Sequence, residues 1–278
     1  MSTRPTTASH SSTASPGVAV ITGASAGIGA VYAERLAARG HDLILVARRG
    51  DRLQALASRL RAETGRTVEV LVADLTAPAD LERIATTIAA DPRITMLVNN
   101  AGTAALTTLA RSTAADEAAM IALNVTALTR LSVAILPAFV QRDRGTIINI
   151  SSVLAVHTLP FSGVYSGTKA YVSAFTKGLQ SEVAGTHVVV QLVLPAATRT
   201  DLWEIGGVPL SALNPASVMT ADDLVDAALA DLDAGVLTSL PSLEDGELWS
   251  SLEHAASSAF LGAQRGQPAS RYAVTADR

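Results

Sequence analysis

The chain has no cysteine among its 278 residues. That excludes disulfides, thiolate metal sites and a thiol nucleophile, and it leaves the redox compartment open. Nor is there an excess of basic charge: the net charge is −4 with an isoelectric point near 5.7, so nucleic acid meets no attracting field. The histidines, His10, His41, His157, His187 and His254, show no metal-ligand spacing, and no metal is expected. No window offers eighteen uninterrupted apolar residues, so no membrane span is expected. The first sixteen residues are rich in Ser and Thr and lack the apolar stretch of a secretory signal. They are expected to be a disordered tail, and the protein to be soluble and cytoplasmic. With 49% hydrophobic and 17% charged residues the rest has a globular balance and is long enough for a large core.

What is present is alternation. Apolar runs at 18–21, 43–47, 68–72, 96–99, 146–150 and 187–194 read as strands, with 236–240 as a last one. Helical patterns fall between them, at about 28–39, 51–63, 81–90, 115–140, from 161 onward and at 222–232, with a closing helix at 248–261. Strands alternating with helices through short turns imply an α/β fold: a doubly wound, Rossmann-type parallel sheet of about seven strands with helices on both faces. The expected domain runs over 17–263, with a tail at 264–278 and a loop region at 200–218.

The first strand leads directly into Thr22-Gly23-Ala24-Ser25-Ala26-Gly27-Ile28-Gly29 and then a helix. Strand, glycine-rich turn and helix in this order make a phosphate cradle, because glycines admit close backbone approach and the helix N-terminus presents N–H groups. The bland alternative is a tight strand-to-helix turn. Later, Tyr165 and Lys169 are four residues apart, which on a helix puts both side chains on one face about 5–6 Å apart at Cβ. A nearby ammonium favours phenolate and is expected to lower the tyrosine's pKa from about 10 toward neutrality. Ser152 closes a strand at the sheet's carboxyl edge, where ligands bind in such sheets. Together these residues suggest interconversion of a carbonyl and an alcohol, although the Tyr/Lys pair alone is common.

These motifs, with Asn99-Asn100-Ala101-Gly102 and Asn124, resemble the short-chain dehydrogenase/reductase family in its compact single-domain branch, over roughly 17–240. The resemblance implies that Tyr165 is the general acid/base, Lys169 holds the nicotinamide ribose and lowers the tyrosine's pKa, Ser152 polarises the substrate oxygen, and Asn124 positions a water that links Lys169 to solvent. It further implies cofactor contacts from Gly23, Ser25, Ala26, Gly27, Ile28 and Gly29, from Asp74 and Leu75, from Asn100, Ala101 and Gly102, and from Pro195, Thr198 and Thr200, with Asn99 structural. Asp74 has a competing reading as a helix N-cap. The chain departs from the family's pattern with Ala196 after the proline. It also has Ser166-Gly167-Thr168 between the Tyr and the Lys, side chains expected to point away from the reacting atoms. Members of the family usually pair through the helices carrying Asn124 and Tyr165, so a homodimer or homotetramer is expected.

Cofactor choice rests on the end of the second strand. An acid there would bond a ribose hydroxyl, whereas an arginine accommodates a 2′-phosphate. The chain reads Ala47-Arg48-Arg49-Gly50-Asp51, so Arg48 favours NADP(H), with NAD(H) as second choice, while Asp51 is read as capping the next helix. Candidate walls for an apolar or amphipathic small-molecule substrate are Val153, Leu154, His157, Leu159, Phe161, Leu202, Trp203 and Ile205, with His157 read as facing solvent. The rival classes are a catalytically silent nucleotide-binding regulatory or scaffold protein on the same fold, and an enoyl reductase or epimerase.

Overall fold

The computed structural model describes residues 16–272. Most of the 1–16 tail and the last six residues of the 264–278 tail therefore lie outside the described residues. The chain divides into two compact units, 1–242 and 243–278. In the first, strands β1 (Val18–Thr22), β2 (Asp42–Ala47), β3 (Val68–Val72), β4 (Ile94–Asn99), β5 (Gly145–Ile150), β6 (Val188–Val193) and β7 (Thr238–Ser239) form one sheet in the order β3-β2-β1-β4-β5-β6-β7. Every pairing is parallel. The strand order reverses between β1 and β4, and at such a point the loops leaving the carboxyl ends part and open a crevice.

Helices α1 (Gly27–Ala38), α2 (Gly50–Thr64), α3 (Pro78–Ala90), α4 (Ala114–Ile121), α5 (Leu128–Gln141), α6 (Gly163–Glu182), α7 (Leu202–Ile205) and α8 (Ala221–Asp233) complete this unit. Their apolar stripes bury on two sides of the sheet. Within β1, Ala19 and Ile21 join a core with α1, α2 and α8, while Val18 and Val20 join another with α3, α5 and α6. This is the period-two alternation of a strand covered on both faces, which is why a run such as 18–21 is apolar at every position.

Several elements differ from the sequence reading. α3 starts at Pro78 rather than 81, because proline's fixed φ and missing N–H suit the first helical position. Asp51 sits in the first turn of α2, and Arg49 holds the N-cap position. β7 shrinks to Thr238 and Ser239, an edge strand stopped by Pro241, which has no N–H for the ladder. The long helix at 115–140 appears as α4 and α5 joined by one π-helical turn, Ala122–Ala127. The continuous stretch Ala114–Gln141 is long and apolar enough to cross a membrane by length and composition, at mean hydropathy 1.8. Here one side of it, Leu131, Ile135 and Phe139, lies in the core. The second unit contains α9 (Glu247–Ala263), the helix expected at 248–261.

Candidate active site

The loops at the carboxyl edge enclose a cleft of about 480 Å³. Its lining joins segments far apart in sequence: the glycine turn after β1, the turn after β2, Asp74 and Leu75 after β3, 100–104 after β4, 150–154 after β5, Tyr165 and Lys169 on α6, and 195–205 after β6. Of the residues singled out from sequence, Gly23, Ser25, Ala26, Gly27, Ile28, Arg48, Asp74, Leu75, Asn100, Ala101, Gly102, Ser152, Tyr165, Lys169, Pro195, Thr198 and Thr200 all line it. The structure thus brings both motif sets to one place.

The glycine turn has the form a dinucleotide requires. Gly27 adopts φ +55°, and a Cβ there would stand 2.9 Å from the Thr200 methyl carbon, so only bare backbone fits. Ala26, the residue before α1, supplies no side-chain cap. The helix's first N–H groups therefore keep no side-chain partner at an edge that opens on the cleft, a setting suited to an anion. Gly29 differs from expectation. It is buried under the turn, where an added Cβ would strike the Asn100 amide and come within 2.5 Å of the Gly23 carbonyl oxygen. Its service is close packing of helix against turn, with Asn100 Nδ2 donating to the Thr22 carbonyl at 2.9 Å.

Asp74 is not a helix cap, since Ala77 precedes α3. Its carboxylate accepts from the Thr76 N–H and hydroxyl, at 2.9 and 2.7 Å. Arg48 lies in the open, with Nη1 3.9 Å from Asp74 Oδ2. The sequence reading passed over Arg49, whose Nε donates to Ser25 Oγ at 3.2 Å. Adjacent residues diverge in direction, and two neighbouring arginines give no pattern that says which one turns toward the glycine loop.

At the other end of the cleft, Ser152, Tyr165 and Lys169 are all buried. Ser152 Oγ accepts from the Leu154 N–H at 3.1 Å and stands near enough to the Tyr165 phenol to pull its pKa down, and Lys169 Nζ donates to the Ile150 carbonyl at 3.0 Å while lying 5.8 Å from the Tyr165 ring centre. The expected lowering of the tyrosine's pKa does not appear. Burial pushes the phenol up to about 12, with Ser152 pulling partly back, and burial brings the Lys169 ammonium down to about 8. Desolvation disfavours the charged form of each group, and burial is the largest cause of both shifts.

Asn124 stands behind the cleft wall rather than in it. The π turn points it at the backbone of Thr103, to which it donates at 2.9 Å through Nδ2 and from which it accepts at 2.9 Å through Oδ1. Nδ2 also donates to Thr168 Oγ1 at 3.1 Å. Thr168 thus points away from the cleft, in keeping with expectation, and holds Asn124 in place. The π turn, a feature frequent at functional sites, has no signature in the apolar pattern. Asn99 is structural as expected, donating to Ser132 Oγ and Asn149 Oδ1 at 3.0 and 2.9 Å.

Ala196 does not derail the backbone near the cleft. Pro195 carbonyl accepts from the Val153 N–H at 2.9 Å, and Thr198 bridges to Met219 as a short parallel pairing. Among the proposed walls, Val153, Leu154, Leu159, Leu202, Trp203 and Ile205 line the cleft, joined by Ala104, Leu106 and Leu123. Phe161 and His157 are exposed instead, because the turn before α6 carries them outward. His157 facing solvent agrees with the sequence reading, and Phe161 does not.

A family model described as short chain dehydrogenase matches residues 17–205. The chain belongs to the short chain dehydrogenase family. A short-chain dehydrogenase from Sphingobium yanoikuyae, solved in complex with NADPH, is 45% identical at a TM-score of 0.88, over 91% of this chain and 98% of that one. The bulky-bulky ketone specific alcohol dehydrogenase from Comamonas testosteroni is 39% identical at a TM-score of 0.85, over 93% and 99%. Human 17-beta-hydroxysteroid dehydrogenase type 3 is 38% identical over 186 residues, 66% of this chain. The chain spans 59% of that relative's length. Family membership accounts for the order of the motifs along the chain, and the doubly wound sheet brings them together at one edge.

Proposed function

We propose that this short chain dehydrogenase reduces a bulky, apolar ketone to the alcohol with NADP(H). The observation that carries this reading is the buried group of Ser152, Tyr165 and Lys169 at the end of a cleft whose remaining wall is apolar. When bound, the nicotinamide supplies the hydride. The chain supplies position and a proton. Ser152 Oγ and the Tyr165 phenol, both lining the cleft, present two hydroxyls to a substrate oxygen, and the tyrosine gives its proton as negative charge develops there. A phenol pushed up to about 12 is fully protonated at neutral pH, the state that carbonyl reduction needs. Lys169, brought down to about 8, still carries most of its positive charge at pH 7, and a cation beside the tyrosine stabilises the phenolate that reduction leaves.

The glycine turn, Ser25 and Arg48 would hold the phosphates, and the Arg48 guanidinium favours a 2′-phosphate over a bare ribose hydroxyl. NAD(H) is the second choice. The NADPH-bound relative at 45% identity supports this order. Leu106, Leu123, Leu154, Leu159, Leu202, Trp203 and Ile205 surround the space for the substrate, which suits two large apolar groups flanking the carbonyl. The ketone specificity of the Comamonas relative points the same way. Exposed apolar Ile121, Val133, Val140 and Tyr171 on α4, α5 and α6 support a homodimer or homotetramer. A silent scaffold would be free to lose any of the three buried groups, and all are present.

The test is to follow loss of NADPH absorbance against a panel of bulky aryl ketones, steroid ketones, small aliphatic ketones and enones. Oxidation with the bulky ketones and far slower reaction with acetone-sized ones is expected. NADPH left unoxidised by every ketone would end the proposal.

A further inference from the structure

The turn after β2 and the segment after β6 are tied by charge at the cleft. Asp201, the residue before α7, receives Arg49 Nη1 at 3.3 Å and Arg52 Nη1 at 3.1 Å on one carboxylate oxygen. Arg49 meanwhile donates to Ser25 in the glycine turn. One aspartate thus joins the β6–α7 segment to α2 and, through Arg49, to the phosphate cradle. The same segment is packed down beside it, with the Thr200 methyl over Gly27, Trp203 Nε1 bonded to the Thr198 carbonyl at 2.8 Å, and the Gly206 carbonyl accepting from the Leu106 N–H at 3.0 Å. Leu202, Trp203 and Ile205 belong to the substrate wall, whereas Ser25 and Arg49 line the cradle. Asp201 is the ionic link between the two regions.

We infer that Asp201 is a positioning residue that fastens the α7 segment over the cleft through Arg49 and Arg52, and so sets how fast a bound dinucleotide leaves. This rests on the proposal that a dinucleotide occupies the cleft, but not on which one. The tie is made to side chains of the chain itself rather than to a 2′-phosphate, so it retains NADPH and NADH alike. Its members are half exposed, and exposed pairs are weak individually. Two on one carboxylate correspond to about a three- to tenfold change in release rate.

The experiment is stopped-flow displacement of bound NADPH, and separately of NADH, read by nicotinamide fluorescence, in the full chain and in Asp201→Asn, Asp201→Glu and Arg52→Gln. Arg52 does not line the cleft, so its variant tests the tie without touching the cradle. Release about three- to tenfold faster in Asp201→Asn and about two- to threefold faster in Arg52→Gln, which keeps the Arg49 bond, in each variant by the same factor for both cofactors, with release restored toward the parent in Asp201→Glu and thermal midpoints unchanged, is expected. Unchanged or slower release in Asp201→Asn overturns the inference. So does acceleration confined to NADPH, which would place Asp201 at the phosphate instead. A parent protein that binds NADH but not NADPH refutes the cofactor preference while the release comparison still stands on NADH; binding of neither overturns both.

Discussion

Replacing Lys169 by methionine should change how stability depends on pH, in a window that isolates this one side chain. The ammonium is brought from the ordinary 10.5 down to about 8 by burial. Below pH 8 both the folded and the unfolded chain hold the proton, and the folded state bears the full cost of a buried charge. Between pH 8 and 10.5 the folded chain has released a proton that the unfolded chain still holds, so the unfolded state binds more protons and stability rises with pH. At about 1.36 kcal/mol per pH unit, the difference between 10.5 and 8 corresponds to about 3 kcal/mol, of which about 2 kcal/mol is recovered by pH 10. Above pH 10 the trend is opposed, because burial also raises the phenols of Tyr165 and Tyr32, and a raised pKa makes the folded state the stronger proton binder. Urea unfolding of the cofactor-free protein at pH 7.5, 8, 9 and 10, for parent and Lys169→Met, reads the effect as a difference in which all other groups cancel. The parent should gain about 2 kcal/mol on the variant across the window. Parallel curves would refute the claim that this ammonium is buried at a cost.

Gly29→Ala should lose about 2 kcal/mol by overpacking against Asn100 and the Gly23 carbonyl. Gly178→Ala, exposed on α6 with nothing within 4 Å of the new methyl, should instead gain about 0.5–1 kcal/mol; the two denaturation midpoints moving together would contradict the packing argument. Arg48→Ala should weaken NADPH binding by about tenfold and change NADH binding little, the low end for a charge-assisted contact because this side chain is open to solvent. Titration calorimetry checks it, and equal losses for the two cofactors would remove Arg48 from phosphate recognition.

The strands were legible because both sides of the sheet are covered, leaving 18–21 and 43–47 as unbroken apolar runs. The glycine turn was legible because only bare backbone can occupy it. What escaped were features set by distant neighbours. Whether Arg48 or Arg49 turns toward Ser25 depends on how the α2 start packs, not on residue type. The Asp201 tie spans 149 positions to Arg52, and no local pattern announces it. The π turn that aims Asn124 at Thr103 interrupts a helical stretch whose apolar spacing looks continuous. Spacing alone suggested that Lys169 would acidify Tyr165, but the sign of that shift depends on how deeply both are buried, which only the folded chain shows. Phe161 illustrates the converse: an apolar residue near the site reads as a wall, yet the turn before α6 carries it to the surface.

The central claim is that Tyr165 supplies the proton in carbonyl reduction, and Tyr165→Phe tests it most directly because the substitution removes one oxygen from a buried ring. With NADPH and the best bulky ketone, single-turnover oxidation of the cofactor should fall by at least about a hundredfold, in line with the loss of a positioned general acid, while NADPH affinity stays within about twofold. Hydride transfer in Tyr165→Phe at a rate comparable to the parent would contradict the account.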